Sequence, residues 1–332
     1  MDNELFPIIW FGLIGLALII YVILDGYSLG IGILFPFIKG AEQRGVMLTT
    51  ASPFWDGNQT WLVLSVAGLY GTFPLVYSSL LPAMYLPLIL MLMCLFFRGM
   101  TFEFRSKASS HRSFDIGFCI VTTAVAFLQG MIVGSVIAGV GTDDGNFAEN
   151  VLSAFSWFGL CTGIALVIGY ALLGAAWLVI KTEGQLQKIF YRLIRPLMIL
   201  FFLAMLAVVA ITPLVNQLIA ERWAKWPNLL WLGITAVIMM ILAIMTIRSA
   251  TRRHEKRIFI QIGVMFVLGL VGLVASLYPV MLPPDITLWD AASSRSSQQF
   301  LLVGYATLLP ITLGYTAYSY WLFRGKVHES EE

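Results

Sequence analysis

The stretch from Leu5 to Ile38 most constrains the fold of this chain, because it contains a single charged residue, Asp25. A run of this length and apolarity is typical of a transmembrane helix, which needs about 20 predominantly apolar residues. A carboxyl group at membrane depth is costly, so it is a functional candidate by default, for example as a proton relay. The alternative is a satisfied polar residue that fixes helix packing, for which Ser28, one turn further on, is a suitable partner.

The composition extends this interpretation to the whole chain. Hydrophobic residues make up 59% of the sequence and charged residues only 11%, whereas a soluble domain carries about 25% charged residues. Apolar stretches of spanning length recur at about 7–37, 60–78, 80–97, 114–140, 151–180, 196–219, 228–247, 258–282 and 299–323. They predict an all-α, polytopic membrane protein with nine transmembrane helices, one transmembrane domain over residues 1–332 and no nucleic-acid partner.

The distribution of basic residues supports the count of nine. If nine spans are drawn, all but three of the 20 Lys and Arg residues fall on one side of the membrane. The positive-inside rule then predicts a periplasmic amino terminus, a cytoplasmic carboxyl terminus and an external acidic loop at 141–150. A tight turn expected near Ser78 and Ser79 leaves one re-entrant element as an alternative to the second and third spans. With one span fewer, the Lys and Arg residues would be distributed over both sides of the membrane.

A second polar segment, ASPFWDGNQTW, opens the second span from its cytoplasmic side. Ser52 followed by Pro53 is typical of an N-cap and a first helical position. Asp56 then falls in the first turns, where the positive end of the helix dipole favours an anion. Asp-Gly is also ordinary turn chemistry, which is the alternative explanation for this acid.

Polar side chains of the same segment share one helical face. Asp56, Gln59 and Thr60 are spaced i, i+3 and i+4, which predicts a polar stripe entering the bilayer. Trp55 and Trp61 flank the stripe, and the simplest interpretation of such tryptophans is an interfacial aromatic belt. The density of polar groups at the start of a span favours a functional role over a turn.

The segment FFRGMTFEFRSK ends the third span on the cytoplasmic side. Arg98 lies at the membrane edge, and Glu103 lies among aromatic and basic residues. Side chains that extend towards the cytoplasmic surface are the simplest interpretation and explain Arg105 well. A functional alternative places Arg98 within reach of one of the two acids, Asp25 or Asp56.

On the opposite side, LYPVMLPPDITLWDAASS places Asp290 between the eighth and ninth spans. An aspartate followed by small residues is typical of a cap on a short helix, and a functional role is the alternative.

The three histidines, His111, His254 and His328, all fall outside the predicted spans. A haem needs an axial ligand such as an imidazole at the depth of the haem. If the complex performs redox chemistry, its metal centres are therefore expected largely in another chain.

The strings LDGYSLGIGILFPFI, SPFWDGNQTWLVL, FFRGMTFEFRSK and YTAYSYW resemble subunit II of the cytochrome bd-type quinol oxidases. The resemblance covers essentially the whole chain, and LGIGILFPFIKG is most similar to the cyanide-insensitive branch. It implies two four-helix bundles plus one peripheral helix. It also implies a subunit I partner that holds two b haems, haem d and the quinol site, and a complex that reduces O2 to water. Small single-span subunits and a structural quinone or lipid are further expectations.

The resemblance also implies roles for individual residues. Asp25 and Asp56 match acidic residues of a proton route from the cytoplasm, to which we add Ser28, Gln59 and Thr60 as polar neighbours. Trp61 matches a tryptophan that lines a lateral oxygen entry. Arg98 and Glu103 match a basic–acidic motif and are candidate charge partners.

The sequence therefore predicts the haem-free subunit of an electrogenic, non-pumping terminal oxidase in the bacterial inner membrane, with no catalytic residue of its own. Two alternatives remain. One is a secondary transporter or ion channel with Asp25 as its coupling site, although no repeat of the kind typical of transporters is visible. The other is a structural membrane subunit in which no polar residue is functional.

Overall fold

The computed structural model describes residues 2–108, 110–139, 142–143, 146–147 and 155–327. The helices in these ranges are α1 Asp2–Ile33, α2 Ala41–Thr49, α3 Trp55–Thr72, α4 Pro74–Ala83, α5 Tyr85–Phe104, α6 Arg112–Ala138, α7 Trp157–Lys181, α8 Gly184–Val215, α9 Gln217–Ala224, α10 Asn228–Thr251, α11 Glu255–Leu277 and α12 Arg295–Leu322. The strands are β1 Thr142–Asp143, β2 Asn146–Phe147, β3 Val280–Leu282 and β4 Ile286–Thr287, and single 3-10 turns occupy Phe35–Phe37 and Arg105–Lys107. Both strand pairs, β1–β2 and β3–β4, are antiparallel.

Eight of the described helices are each long and apolar enough to cross a membrane, and the bent pair α3–α4 raises the count to nine if it forms one span. The all-α membrane fold is confirmed, and the nine predicted spans are the upper end of this count. The sides to which the termini face stay a prediction from the charge distribution. Of the acidic loop at 141–150 only β1 and β2 are described. The rest of that loop and the tail that contains His328 lie outside the described residues.

The second span ends earlier than the hydropathy pattern predicts. Helix α3 stops at Thr72, and α4 leaves it at an angle of 119°. The cause is local: Pro74 is the first residue of α4, and the residue before a proline is disfavoured in the helical region. Phe73 accordingly has φ −129° and ψ 62°. The predicted turn at Ser78 and Ser79 is wrong, since α4 runs through both residues.

The spans form two groups of four helices with α12 at the side. Helices α1, α3, α5 and α6 pack in the first group, and α7, α8, α10 and α11 pack in the second. Helix α7 joins the groups, because it also packs along α1 and α6. In the most apolar 18 residues of α7, 72% are buried, whereas in those of α12 only 6% are. Helix α12 lies against α3 and α1. The two bundles and the peripheral helix are therefore as predicted.

Glycines of α1 allow its close approach to α7. A Cβ built on Gly30 would lie 1.8 Å from the carbonyl oxygen of Tyr170, and one on Gly174 would lie 2.5 Å from the carbonyl carbon of Gly30. A Cβ built on Gly26, one turn earlier, would lie 2.6 Å from the ring of Tyr170. Small residues at this spacing let helix backbones meet in a membrane. The contact fixes the position of the α1 segment that carries Asp25.

The chain segment after α12 is held by the last residue of α7. Lys181 is almost completely buried, and its ammonium donates to the carbonyl oxygens of Phe323 and, at 3.1 Å, Gly325. The backbone N–H of Val327 donates to the Lys181 carbonyl at 2.8 Å. A cation in the last turn also interacts favourably with the helix dipole. These contacts join the end of α12 to the centre of the molecule.

Candidate functional site

The centre of the candidate site is an ion pair between α1 and α5. The Nη1 atom of Arg98 donates to Oδ1 of Asp25 at 2.8 Å, and neither side chain has any exposed surface. An isolated charge in so apolar a setting costs several kcal/mol, so each group compensates the other. Of the two acids considered as partners of Arg98, the structure selects Asp25.

Several polar atoms around this pair have no protein partner. They are Oδ2 of Asp25, Nε and Nη2 of Arg98 and the hydroxyl of Ser28. Ser28 lies on α1, three residues after Asp25, and is fully buried. Buried polar groups without protein partners are usually satisfied by ordered water. The site therefore combines a charge pair with positions where water can bind.

A chain of hydrogen bonds runs from the same turn of α1 into α6 and α7. Tyr21, one turn before Asp25, accepts a hydrogen bond from Nε2 of Gln129 at 2.6 Å. The hydroxyl of Tyr170 donates to Oε1 of the same glutamine at 2.9 Å. Both tyrosines lie within electrostatic reach of the Asp25 carboxylate. Sequence reasoning missed these three residues, although a lone Gln in an apolar span is a signal of the same kind as a lone Asp.

A second polar chain approaches Asp25 from α3 and α12. Asn58 is buried, and its Nδ2 donates to the carbonyl of Leu24, the residue before Asp25, at 2.9 Å. The hydroxyl of Tyr320 donates to Oδ1 of Asn58 at 3.0 Å and lies 2.7 Å from the hydroxyl of Tyr27. Asn58 belongs to the quoted WDGNQTW string, but the predicted face of that helix did not include it.

The predicted polar stripe of α3 lies largely at the surface of this chain. Asp56 and Thr60 are exposed, and Gln59 is half-buried with its Nε2 atom lacking a protein partner. Asp56 is in the first turn of α3, as predicted, but the predicted cap is wrong. The helix begins at Trp55, so Ser52 and its following proline lie in the turn that precedes it.

Trp61 lies on the inner side of α3. Its side chain has no exposed surface, and its Nε1 donates to Oγ1 of Thr316 on α12 at 3.3 Å. It packs in a small cluster with Ala17 and Tyr21 of α1. The interfacial-belt interpretation is therefore wrong for Trp61, since belt tryptophans sit at the water boundary. The residue stands beside the hydrogen-bond chain that starts at Tyr21.

The basic–acidic motif at the end of α5 divides into two environments. Glu103 is exposed and has no described contact with Arg98. Arg105 is buried, and its Nε donates to Oδ1 of Asp115 at 2.6 Å. Arg44 contacts the other oxygen of Asp115 at 3.2 Å. The prediction that Arg105 extends to the membrane surface is therefore wrong: a carboxylate on α6 neutralises it inside the protein.

Asp290 has a local structural role. Its Oδ2 atom accepts hydrogen bonds from the hydroxyl of Thr287 and, at 3.3 Å, from the backbone N–H of the same residue. This contact closes the turn that follows β4, and both partners lie within three residues of each other. The predicted cap of a short helix is wrong, since residues 291–294 are not helical and the contact closes a turn.

Among the described residues, no group of three or more His, Cys, Asp or Glu side chains is arranged to hold a metal ion. His111 and His254 immediately precede α6 and α11 and so lie outside the apolar part of any span. Neither of these two described histidines therefore lies at the depth where a membrane haem would need an axial imidazole.

Comparison with known proteins adds the family context of this site. Residues 6–323 match the sequence model of the family described as cytochrome bd terminal oxidase subunit II. The chain is 26% identical to cytochrome bd-I ubiquinol oxidase subunit 2 of Escherichia coli (strain K12), covering 100% of this chain and 97% of that one. It is also 26% identical to cytochrome bd ubiquinol oxidase subunit 2 of Bacillus subtilis (strain 168), with 97% of each chain covered. The fold resembles a chain of the bd oxidase from Geobacillus thermodenitrificans with a TM-score of 0.80, at 17% identity and with 96% and 99% of the two chains covered.

Proposed function

The chain belongs to the cytochrome bd terminal oxidase subunit II family, and we propose that it is the haem-free half of a quinol oxidase. It is a multi-span subunit of a terminal quinol oxidase of the bacterial inner membrane. In this proposal a subunit I partner oxidises quinol and reduces O2 to water. This chain supports that partner and lines the routes by which protons and oxygen reach it.

The proposed location of the haems rests on the distribution of possible ligands. Histidines are available only at helix beginnings and in the tail, so the spans of this chain offer no imidazole as an axial ligand. We therefore assign the b haems and haem d to subunit I. Small single-span subunits and a structural quinone or lipid remain predictions from the family resemblance.

The buried Asp25–Arg98 pair is the observation that carries the proposed proton route. A carboxyl group at membrane depth is rarely retained without a role in ion or proton movement. The guanidinium beside it stabilises the ionised form, and the unpaired Oδ2 atom and Ser28 hydroxyl can hold a water molecule that delivers a proton. A group that exchanges protons with such water is what a relay requires.

Asp56 is the proposed entrance of this route. It is exposed in the first turn of α3, at the predicted cytoplasmic surface. The positive end of the helix dipole stabilises its carboxylate there. Two residues later on the same helix, Asn58 is hydrogen-bonded to the backbone beside Asp25. Gln59 and Thr60 extend the polar surface of this helix, and Ser28 lies between Asp25 and the predicted cytoplasmic end of α1.

Trp61 is the proposed lining of an oxygen route. Dioxygen is small and apolar, so it enters through apolar packing and not along the hydrogen-bonded chains. Trp61 offers such packing against Ala17 between α1 and α3. Arg98 acts in the proposal as the counter-charge of Asp25, and Glu103 as a surface group near the interface with the partner.

Isolation of the complex tests this proposal. The tagged chain is purified from its native membrane in mild detergent, and a co-purifying partner with the absorbance of haem d is expected. An uncoloured lone chain would contradict the proposal and favour the transporter alternative. The proton entrance is tested by Asp56→Asn, with Asp285→Asn, an exposed acid after β3, as the matched control. Lower turnover with normal haem spectra is expected only in Asp56→Asn.

A further inference from the structure

A pocket of about 160 Å³ lies at the end of the second helix group that carries most of its basic residues. It is lined by Lys188, Tyr191 and Arg192 of α8 and by Arg253 of the turn between α10 and α11. Three of its four lining side chains are cations, and none is an acid. The pocket is separate from the Asp25 site, because no lining residue belongs to α1, α3 or α5. Its chemistry points to an anionic ligand.

Arg253 lines the pocket from the turn that ends α10, where its backbone is left-handed. Among the described residues other than glycine, only Arg253 has a positive φ, at 58°. An arginine in the left-handed region costs free energy that a glycine would avoid. The end of α10 accounts for this conformation, because the N–H of Arg253 donates to the Ala250 carbonyl at 3.2 Å and the N–H of His254 donates to the Ser249 carbonyl at 2.9 Å, as in a Schellman cap.

Glu255 is an acid near the pocket, and it is already paired with other side chains. Glu255, the first residue of α11, is bound by Lys326 at 2.7 Å and by Nε2 of Gln187 at 2.7 Å. Its charge is therefore already compensated. The N-terminal end of α11 adds a positive partial charge two residues after Arg253. Phosphate groups suit a site of this kind, since guanidinium groups and helix N-termini both bind them.

One face of α8 extends from the pocket into the apolar part of the span. Its exposed residues are spaced four, three, four, four and three positions apart, which keeps them on one side of a helix. They change from cationic to apolar in the order Lys188, Arg192, Arg195, Ile199, Leu203 and Leu206. The three apolar members are 47%, 56% and 48% exposed. A cationic end followed by an apolar strip matches a headgroup followed by acyl chains.

We propose that this pocket binds the phosphodiester headgroup of an anionic phospholipid, whose acyl chains lie along the apolar strip of α8. The cations of Lys188, Arg192 and Arg253 neutralise the phosphate, and the Tyr191 hydroxyl is a further donor. Basic pockets between transmembrane helices on the cytoplasmic side bind anionic headgroups in this way. A soluble phosphate uses the same cations but leaves the apolar strip uncovered, which distinguishes the two sources of the ligand.

Native mass spectrometry of the intact complex tests the proposal. The delipidated complex is titrated with phosphatidylglycerol and with phosphatidylcholine of the same chain length, and retained lipids are counted. The pocket variant Lys188→Gln/Arg192→Gln/Arg253→Gln is expected to bind phosphatidylglycerol about a hundredfold more weakly than the wild type. The matched variant removes three exposed cations elsewhere, through Lys39→Gln, Lys107→Gln and Arg112→Gln. It is expected to bind as the wild type does.

Three results would overturn the lipid assignment. They are equal losses in the two triple variants, equal retention of both lipids, and displacement of phosphatidylglycerol by inorganic phosphate. If the triple variant fails to assemble, Arg253→Gly supplies the test, because glycine tolerates the positive φ and removes the cation. This variant is expected to assemble normally and to bind phosphatidylglycerol about fivefold more weakly. Unchanged binding in an assembled Arg253→Gly complex contradicts the proposal.

Discussion

Arg98 and Asp25 meet at 2.8 Å in a site where neither side chain is exposed. The pair has one property typical of a structural contact and one typical of a proton-exchange site. Its direct contact links α5 to α1, which is a structural role. Its remaining polar atoms lack protein partners, which is a feature of a site that exchanges protons with water. Variants that remove one charge or both distinguish these roles.

Asp25→Asn alone is expected to reduce both assembly and turnover. The substitution leaves the Arg98 cation buried without a counter-charge, and breaking a buried pair in this way costs about 3–5 kcal/mol. The measurement is the yield of complex with normal haem spectra, followed by quinol oxidation per haem.

The double variant Asp25→Asn/Arg98→Gln is expected to recover assembly, because no unpaired charge is left. Its turnover is expected to stay low, since neither new side chain can exchange a proton as a carboxyl group does. Full recovery of turnover along with assembly would remove the relay assignment and leave packing as the role of the pair.

Gly30→Ala is expected to disrupt the contact between α1 and α7. The added Cβ would lie 1.8 Å from a backbone oxygen of Tyr170, which cannot rotate away as a side chain can. Overpacking costs about 1–3 kcal/mol where neighbours can adjust, so a larger loss of thermal stability is expected here. Gly263→Ala is the control, because Gly263 is buried but has no atom within 4 Å of the added position.

Trp61→Phe is expected to raise the second-order rate of reaction with oxygen. The smaller ring loosens the packing between α1 and α3 along the proposed oxygen route, and it also loses the hydrogen bond to Thr316. Turnover at saturating oxygen is expected to be unchanged. Trp55→Phe is the control, since that ring stacks on Phe102 at 5.4 Å. Identical oxygen kinetics in Trp61→Phe and the wild type would exclude Trp61 from the route.

Lys181→Met is expected to release the segment from Phe323 to Val327. The buried ammonium donates to two carbonyl groups of that segment, and hydrogen bonds of charged groups contribute about 1.5–3 kcal/mol each. Faster hydrogen exchange and easier proteolysis of this segment are the measurements. Lys107→Met, which removes an exposed cation, is expected to leave both unchanged. An unaltered exchange rate in Lys181→Met would show that the tail is held by other contacts.

The membrane fold followed from the sequence because hydropathy is a local property. Each span carries its own apolar residues, and the sorting of charges between loops fixed the number of spans. The costly charge of Asp25 was visible for the same reason, since a lone acid in an apolar run needs no structure to be noticed.

Pairwise contacts could not be read in the same way. Arg105 resembles any other basic residue at the end of a span, and only the packing of α6 beside α5 brings Asp115 to it at 2.6 Å. The choice of Asp25 over Asp56 as the partner of Arg98 likewise depends on how three helices lie together. Pro74 is a local signal for the bend after Phe73. The residues on both sides of it are apolar, so the hydropathy pattern predicted one continuous span.

The sequence by itself determined that this chain crosses the membrane many times and carries an acid inside one span, because the transfer of each segment into lipid depends on that segment alone. Only the tertiary structure decided which groups surround the acid. Gln129, Asn58 and Tyr320 come from three separate helices, and their hydrogen bonds exist only after those helices have packed.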